Sequence, residues 1–304
     1  MAGSQDFEAD PRNETALVWL NGELVPRAAA KVSIFDAGFG MGDGVWEGLR
    51  LHRGRLLFLD AHLDRLFEGA RAIGLDIGMS RADVIAALDS TLAANAMTDG
   101  VHVRLMVTRG IKSTINQDPR NALGRPTVAI TAEHKNPSPD VAIRGLRLAT
   151  VSVRCTPASM FDMRLNSHSR LNLITALLEA IEKGGDEALM LDPEGGVSSC
   201  NATNFFFVRS GEVLTSTGEY CFNGVTRHQV IELCHRHGLA VRLGAFDPAA
   251  ARGADEAFVT GTLGGLTPVR QIDDAVLPAC PGPVTRRLRA LYEDLKDADA
   301  GARP

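Results

Sequence analysis

The sequence predicts two domains, each mixing α-helices with β-strands, and three observations carry that expectation. The chain has 304 residues, 45% hydrophobic and 23% charged, ordinary for a globular protein and long enough for about two domains. Strand-period and helix-period segments alternate in both halves. Between the halves, residues 133–140 read EHKNPSPD, polar with two prolines, the composition of an interdomain connector. The expected division is a disordered tail at 1–14, a small α+β domain at 15–132, the connector at 133–140, and a larger domain at 141–304.

After the polar tail, 16–20 reads as a strand, turned by Asn21-Gly22 into 23–26, because both turn residues tolerate positive φ. A short strand at 55–59 precedes a helix reaching residue 73, with Asp60 as its cap and Leu63, Leu66, Phe67 and Ala70 at helical spacing. Ser80 and Asp83 form an acidic variant of the capping box, opening a helix that reaches residue 96. Strands at 101–108 and 127–132 complete the first half. The second half reads as a strand at 146–154, a helix at 169–183 and a strand at 187–191. A hairpin turning at Ser210-Gly211, a helix at 226–237, a strand at 257–262 and a helix at 283–297 follow. The chain contains neither an internal repeat nor a low-complexity segment.

The formal net charge of −5 argues against nucleic acid or an anionic membrane as the main partner. No run of about 18 apolar residues suggests a membrane span, and the first 14 residues lack the apolar stretch of a signal peptide. Five cysteines (Cys155, Cys200, Cys221, Cys234, Cys280) are scattered without a CxxC pair and read as reduced thiols of a cytoplasmic protein. Cys234, His235 and His237 lack the i, i+4 spacing that puts two ligands on one helix face, so no metal site is expected.

Two glycine-containing segments suggest anion binding. Asn223-Gly224-Val225-Thr226-Arg227 immediately precedes a helix, whose free N–H groups make an anion cup, and Gly224 permits close backbone approach. Thr260-Gly261-Thr262-Leu263-Gly264-Gly265 follows a strand and adds further donors. Taken singly, the first is more often just a turn, and the second reads equally well as a glycine-rich loop.

Together with VSIFDAGFGMGDGVWEGLR and LDAHLDRL, the segments NGVTR and DEAFVTGTLGGLTPV resemble the ordered signatures of the fold-type IV pyridoxal-phosphate enzymes. These comprise the branched-chain and D-amino acid aminotransferases and aminodeoxychorismate lyase. The resemblance covers residues 18–295, and the ending TPVRQID…GPVTRRL is most like the branched-chain aminotransferases. It implies an N-terminal α+β domain and a C-terminal α/β pseudo-barrel clasping pyridoxal or pyridoxamine 5′-phosphate. It also implies a homodimer that acts on a small amino or keto acid.

Residue by residue, the resemblance puts Arg65 at the arginine gripping the cofactor phosphate, where a planar guanidinium holds two oxygens at once. Val225 and Thr226 match the helix-start amides and Thr262 the hydroxyl completing the cup, with Gly261 and Asn204 also at the cofactor. The reactive end departs from the pattern. Four residues before Arg170 in SRLN, where the family has its Schiff-base lysine, stands Asn166, whose amide can neither form an imine nor shuttle a proton. Ser199 replaces the glutamate of the V-x-E-G-x-x-x-N run that ends at Asn204, and Leu171 replaces a tyrosine. A serine hydroxyl hydrogen-bonds a neutral pyridine nitrogen but does not stabilise its protonated form by charge.

On the substrate side, Trp46, Arg50 and Arg104 match an aromatic wall and two arginines, with Leu263 from the glycine-rich turn. Thr114 and Asn116 stand where D-amino acid aminotransferases carry an Arg and a His, and Met41 where the pocket wall has a tyrosine. His168, Cys200 and Lys112 are candidates to replace the lysine as base or nucleophile, and Arg164 is the basic residue nearest to it. The expected function is an aminotransferase-like enzyme, transferring an amino group with a non-covalently held cofactor. A lyase, favoured by Ser199, and a non-catalytic cofactor-binding protein, favoured by Asn166, are the alternatives.

Overall fold

The structure, a computed structural model, describes residues 3–301 and divides into two compact units. The N-terminal unit comprises residues 9–136, 165–170 and 299–301. The C-terminal unit comprises 3–8, 137–164 and 171–298.

In the N-terminal unit, β1 (Leu17–Leu20) and β2 (Glu23–Pro26) turn at Asn21-Gly22, with φ of 51° and 102°, the primed hairpin geometry the dipeptide predicts. A short helix α1 (Ala37–Met41) leads into β3 (Gly44–His52) and β4 (Arg55–Leu56). Helices α2 (Leu59–Ala72) and α3 (Arg81–Ala94) precede β5 (Val101–Thr108) and β6 (Thr127–His134). The six strands form a fully antiparallel sheet in the order β2-β1-β6-β5-β3-β4.

Alternation decides what each face of this sheet carries. Val45, Leu49 and Leu51 of β3 and Val101, Val103, Leu105 and Val107 of β5 enter one core with Leu63 and Leu66 of α2 and Val84 and Leu88 of α3. The intervening residues Trp46, Arg50, Arg104 and Met106 stay half-buried. β3 was not legible as a strand because glycines and charged residues break its apolar run. The Ser80/Asp83 box forms in both directions, Asp83 accepting the Ser80 N–H at 2.9 Å and donating its own to Ser80 Oγ at 3.2 Å. Asp60, expected as the cap of α2, lies inside its first turn and pairs with Arg81. Phe58 occupies the cap position with φ 50°.

The C-terminal unit contains α4 (Pro139–Arg144), β7 (Leu146–Thr150), α5 (Leu171–Glu182), β8 (Glu187–Leu191) and β9 (Val197–Cys200). It continues with β10 (Asn204–Arg209), β11 (Glu212–Thr215), α6 (Val225–Arg236), β12 (Val241–Leu243) and α7 (Pro248–Arg252). It ends with β13 (Glu256–Gly261), β14 (Gly265–Ile272), β15 (Ala275–Val276) and α8 (Pro283–Gly301). The sheet is mixed and nine-stranded, ordered β12-β11-β10-β13-β14-β7-β8-β9, with β15 on β14. Its parallel pairs are β11/β12, β14/β7 and β7/β8.

Consecutive Phe205, Phe206 and Phe207 are all buried, so β10 is covered on both faces. Phe205 and Phe207 join the core of Leu148, Val259 and Val269, while Phe206 stacks on Phe258 with centroids 5.0 Å apart. β14 escaped sequence reading because Pro268 lies inside it, and proline argues against a strand interior.

Two boundaries differ from expectation. Residues 3–14, expected as part of a disordered tail, make specific contacts: the Ser4 N–H donates to buried Glu187 at 2.8 Å, and Asp10 caps a 3₁₀ turn at Pro11–Thr15. The start of the expected connector is strand, because β6 runs on to His134, whose backbone exchanges two hydrogen bonds with the buried Asn13 side chain.

Candidate functional site

A carboxylate sits on the apolar side of β3. Glu47 is fully buried and is met by two side chains one turn apart on α2. His62 Nδ1 lies 2.7 Å from its Oε2. Arg65 grips it in bidentate fashion, Nε to Oε1 at 2.8 Å and Nη2 to Oε2 at 2.7 Å. Burial pushes the Glu47 carboxyl up, but the Arg65 charge and hydrogen bonds from Arg65 and His62 outweigh it. They hold the group below its ordinary 4.5. The Arg65 guanidinium plane is therefore fixed from within the unit. Glu47 and His62 were missed at the sequence level. A lone acid in the strand-period stretch VWEGLRL was the available signal.

The other face of the same sheet carries Trp46 and the arginines. Arg104 lies opposite Gly48 on the neighbouring strand, and its guanidinium reaches the Trp46 ring at 3.8 Å. A Cβ at Gly48 would stand 3.6 Å from that ring and 3.1 Å from the His102 ring, so glycine leaves room for both. Burial, followed by the charges of Arg104, Lys135 and Arg50, lowers His102 from 6.5 to about 3, leaving it neutral. Arg50 is turned to structural use: Nη2 donates to Asn136 Oδ1 at 2.8 Å and Nη1 to the Lys135 carbonyl.

Residues 165–170 return to this unit as a strap along β3. The Trp46 N–H donates to the Asn166 carbonyl at 2.9 Å, the His168 N–H to the Gly44 carbonyl at 2.9 Å, and Trp46 Nε1 to the Ser167 carbonyl at 3.0 Å. The Asn166 side chain is engaged at both ends, Nδ2 donating to the Trp46 carbonyl at 2.6 Å and Oδ1 accepting from Arg170 Nη2. Arg170 lies 5.3 Å from the Trp46 ring centroid. Burial first, then the charges of Arg104 and Arg65, lowers Arg170 to about 10. His168 is lowered by burial and by Arg170 and Arg104, and its Nε2 is buried without a hydrogen-bond partner among the described residues.

The other candidate bases do not suit the role. Lys112 is buried, with Nζ donating to the Asn116 carbonyl of its own loop at 2.6 Å. Cys200 is buried, and desolvation raises its thiol well above the ordinary range. Arg164 is paired with Asp162.

In the C-terminal unit, α6 begins at Val225 after Gly224, and no side chain caps it. The amides of a first helical turn have no partner within the helix. Thr226 is buried, its hydroxyl 3.5 Å from the Tyr292 hydroxyl. Asn204 secures the approach to this helix, accepting the Gly224 N–H at 3.2 Å and donating to the Phe222 carbonyl at 2.6 Å. Arg227, from the same NGVTR segment, adds a second tie through the Ser216 carbonyl at 2.7 Å. Ser199 sits beside Asn204, and its hydroxyl donates to the Thr203 carbonyl at 2.8 Å, so that proton is already engaged. Gly261 pairs with Gly265 across a three-residue turn containing Thr262 and buried Leu263. Next to that turn, Thr260 Oγ1 is buried without a hydrogen-bond partner among the described residues. An uncapped helix start, a loosely held Thr226 hydroxyl and an unpartnered Thr260 hydroxyl within one unit suit an oxyanion.

Residues 44–272 match the family amino-transferase class IV. The chain is 38% identical to branched-chain-amino-acid aminotransferase-like protein 2 of Arabidopsis thaliana over 94% of its own length and 51% of that protein's. It therefore spans about half of that relative. It is 30% identical to the branched-chain-amino-acid aminotransferase of Pseudomonas aeruginosa, over 92% of each. The branched-chain aminotransferase of the archaeon Thermoproteus uzoniensis, solved with norvaline, superposes with TM-score 0.83 at 30% identity, covering 94% of this chain and 95% of that one. The α+β and α/β pseudo-barrel organisation implied by the motifs is the fold of this chain, and the chain belongs to the class IV aminotransferases.

Proposed function

We propose that the protein is a branched-chain-aminotransferase-like enzyme that holds pyridoxal or pyridoxamine 5′-phosphate without a covalent bond and acts on an amino or keto acid. The observation that carries this reading is the uncapped start of α6 beside the Thr226 hydroxyl. Val225, Thr226 and Thr262 would hold the cofactor phosphate, with Gly261 giving backbone access and Asn204 keeping α6 in place, and the family resemblance assigns Arg65 of the N-terminal unit to the same phosphate. When bound, the cofactor withdraws electrons from the carbon carrying the amino group.

The residues fit the phosphate but not a covalent tether. Asn166 offers no amine, and Lys112 Nζ is engaged inside its own loop. His168 is the strap residue suited to take a proton, since it is neutral and its Nε2 makes no hydrogen bond among the described residues. Ser199 leaves the pyridine nitrogen without a carboxylate, and its own proton is held by Thr203. Trp46 and Arg104 would face the substrate, the guanidinium attracting a carboxylate.

A homodimer fits the exposed apolar stripe of α5, where Leu171, Ile174, Leu178 and Ile181 recur at helical spacing. The second reading is a non-catalytic cofactor-binding protein, favoured by the full hydrogen bonding of the Asn166 amide.

Equilibrium dialysis against pyridoxamine 5′-phosphate tests the proposal, with saturable binding expected. Pyridoxal 5′-phosphate should stay dialysable after borohydride treatment. No binding at millimolar concentration would remove the phosphate cup, and cofactor fixed to Lys112 would replace the non-covalent reading. A panel of amino acids then separates the activities. Keto acid formed without ammonia indicates transfer, ammonia indicates elimination, and neither product indicates the non-catalytic reading.

A further inference from the structure

The beginning of the chain packs behind the glycine-rich turn of the C-terminal unit. Ser4 is buried and touches two places at once. Its N–H donates to Glu187 Oε1 at 2.8 Å, and its carbonyl oxygen lies 3.5 Å from where a Cβ on Gly264 would stand. Gln5 Nε2 lies 3.9 Å from the corresponding point on Gly261, and the Thr203 methyl lies 3.3 Å from it. Successive positions of β13 face opposite ways, so these contacts are on the side away from the unpartnered Thr260 hydroxyl. Further on, the Asp6 carbonyl accepts the Ser138 N–H at 3.1 Å and Phe7 bridges Pro137. Ser4 and Gln5 are thus held across the turn between two fastenings.

Glu187 is the first fastening. Its buried carboxylate accepts the Thr203 hydroxyl at 2.7 Å as well as the Ser4 N–H. Burial pushes its carboxyl up, and these two hydrogen bonds oppose that. A buried carboxylate short of donors is costly, which makes the fastening firm. Thr203 directly precedes Asn204, the residue that accepts the Gly224 N–H before α6. One carboxylate therefore ties the N-terminal segment to the loop that secures α6.

We propose that Ser4 and Glu187 are positioning residues for the anion cup: Glu187 holds residues 3–8 against the glycine-rich turn, and docking of this segment and occupation of the cup by a phosphate strengthen each other. This rests on the reading of the α6 start and the 261–265 turn as a phosphate site. A phosphate binds the turn best in one shape, and a segment packed behind the turn favours that shape, so each lowers the cost of the other.

Hydrogen exchange of residues 4–7 in the unaltered chain reads this coupling without any substitution. Saturating pyridoxamine 5′-phosphate is expected to slow it by about tenfold, the equivalent of one hydrogen bond. Inorganic phosphate should slow it too, whereas pyridoxamine, which lacks the phosphate, should not. Ser4→Pro removes the N–H and leaves Glu187 bonded to Thr203. Because coupling is reciprocal, it should raise the dissociation constant for pyridoxamine 5′-phosphate by the same factor. Glu187→Ala should do likewise. Glu187→Gln still accepts the Ser4 N–H and donates to Thr203 Oγ1, so it should keep affinity within about twofold of the parent. A merely structural fastening would lower the thermal midpoint of Ser4→Pro and leave the dissociation constant unchanged, and that result overturns the proposal. So does pyridoxamine slowing exchange as much as its phosphate does. If Ser4→Pro fails to fold, the exchange measurement carries the test. Pyridoxamine 5′-phosphate that binds without altering exchange at residues 4–7 overturns this inference alone. If it fails to bind while inorganic phosphate slows exchange, only the cofactor reading falls. If neither anion binds, both fall.

Discussion

The start of α6 and the strap at 165–170 treat their polar groups in opposite ways. At α6 the cap position is Gly224, no side chain answers the first amides, and Asn204 and Arg227 tie down the preceding loop without covering the helix end. In the strap, the Asn166 carbonyl and both ends of its amide are engaged within the unit. Polar groups left open inside a well-tied frame suit a ligand, whereas polar groups bonded to one another have a structural task already. Asn166 therefore already has a structural task in the strap. The predictions that follow bear on that contrast, beginning with the largest effect.

Glu47 anchors the arginine that the family resemblance assigns to the phosphate. Removing it by Glu47→Ala leaves Arg65 and His62 facing a buried gap, and breaking a buried pair in this way costs about 3–5 kcal/mol. Urea denaturation at neutral pH measures the loss, and pyridoxamine phosphate binding should weaken with it. A loss under about 1 kcal/mol would mean that Arg65 finds another anchor. The acid limb supplies a second check. Because the folded-state value is depressed, the stabilisation is fully present above the ordinary 4.5 and is lost as pH falls through the folded-state value.

Asn166→Lys tests the strap directly. The substitution breaks the bonds to the Trp46 carbonyl and to Arg170 and brings a second cation beside a guanidinium. A destabilisation of about 1–3 kcal/mol is expected from overpacking. If the register of the strap matches the family, the variant should also become linked to pyridoxal 5′-phosphate by borohydride, yet transfer amino groups poorly because Ser199 supplies no carboxylate. Adding Ser199→Glu should then raise the transfer rate. A variant that folds as well as the parent and is never linked would put the strap out of register with the lysine position.

The positive face beside the strap has a pH signature of its own. His102 is depressed to about 3, so its contribution to stability is complete above 6.5 and declines as pH falls below that value. His168 shifts in the same direction. Unfolding free energy should fall between pH 6.5 and 5 by up to about 1.4 kcal/mol per pH unit through His102, and His102→Gln should flatten the slope. An unchanged slope in that variant would show that His102 is hydrated in solution.

How much of this was legible depended on whether the signal was local. The Asn21-Gly22 hairpin, the Ser80/Asp83 box and β8 follow from residues adjacent in sequence, and the structure contains them. Asp60 was misread because Phe58, two residues earlier, adopts a left-handed conformation that no periodicity announces. The candidate phosphate residues were readable from NGVTR because a helix start is a short contiguous motif. The Glu47–Arg65–His62 cluster joins a strand to a helix, and the bonds from Asn166 to Trp46 join residues 120 apart. Such pairings depend on the sheet register, which one sequence does not display. Arg50 shows the limit of motif transfer, since its residue type matches while its guanidinium is directed to Asn136.

The smallest effects come from two helix starts in which one group is changed. Ser80→Ala removes a cap that serves only α3, so stability should fall by about 1 kcal/mol with no change in pyridoxamine phosphate affinity. Gly224→Ala should instead change cofactor affinity. The backbone there has φ −64° and ψ 142°, which alanine adopts without strain, so the stability cost is confined to the Asn204 contact, about 1 kcal/mol. The added Cβ would stand 2.5 Å from Asn204 Oδ1. Asn204 must then shift, loosening its hold on the Gly224 N–H and the Phe222 carbonyl. The amides of α6 lose their fixed aim, and the dissociation constant for pyridoxamine 5′-phosphate should rise by about tenfold, the equivalent of one hydrogen bond. Thermal melts and dialysis on the same two variants give all four values. If Gly224→Ala lowers the melting midpoint as Ser80→Ala does and leaves cofactor affinity unchanged, the open start of α6 is an ordinary helix end.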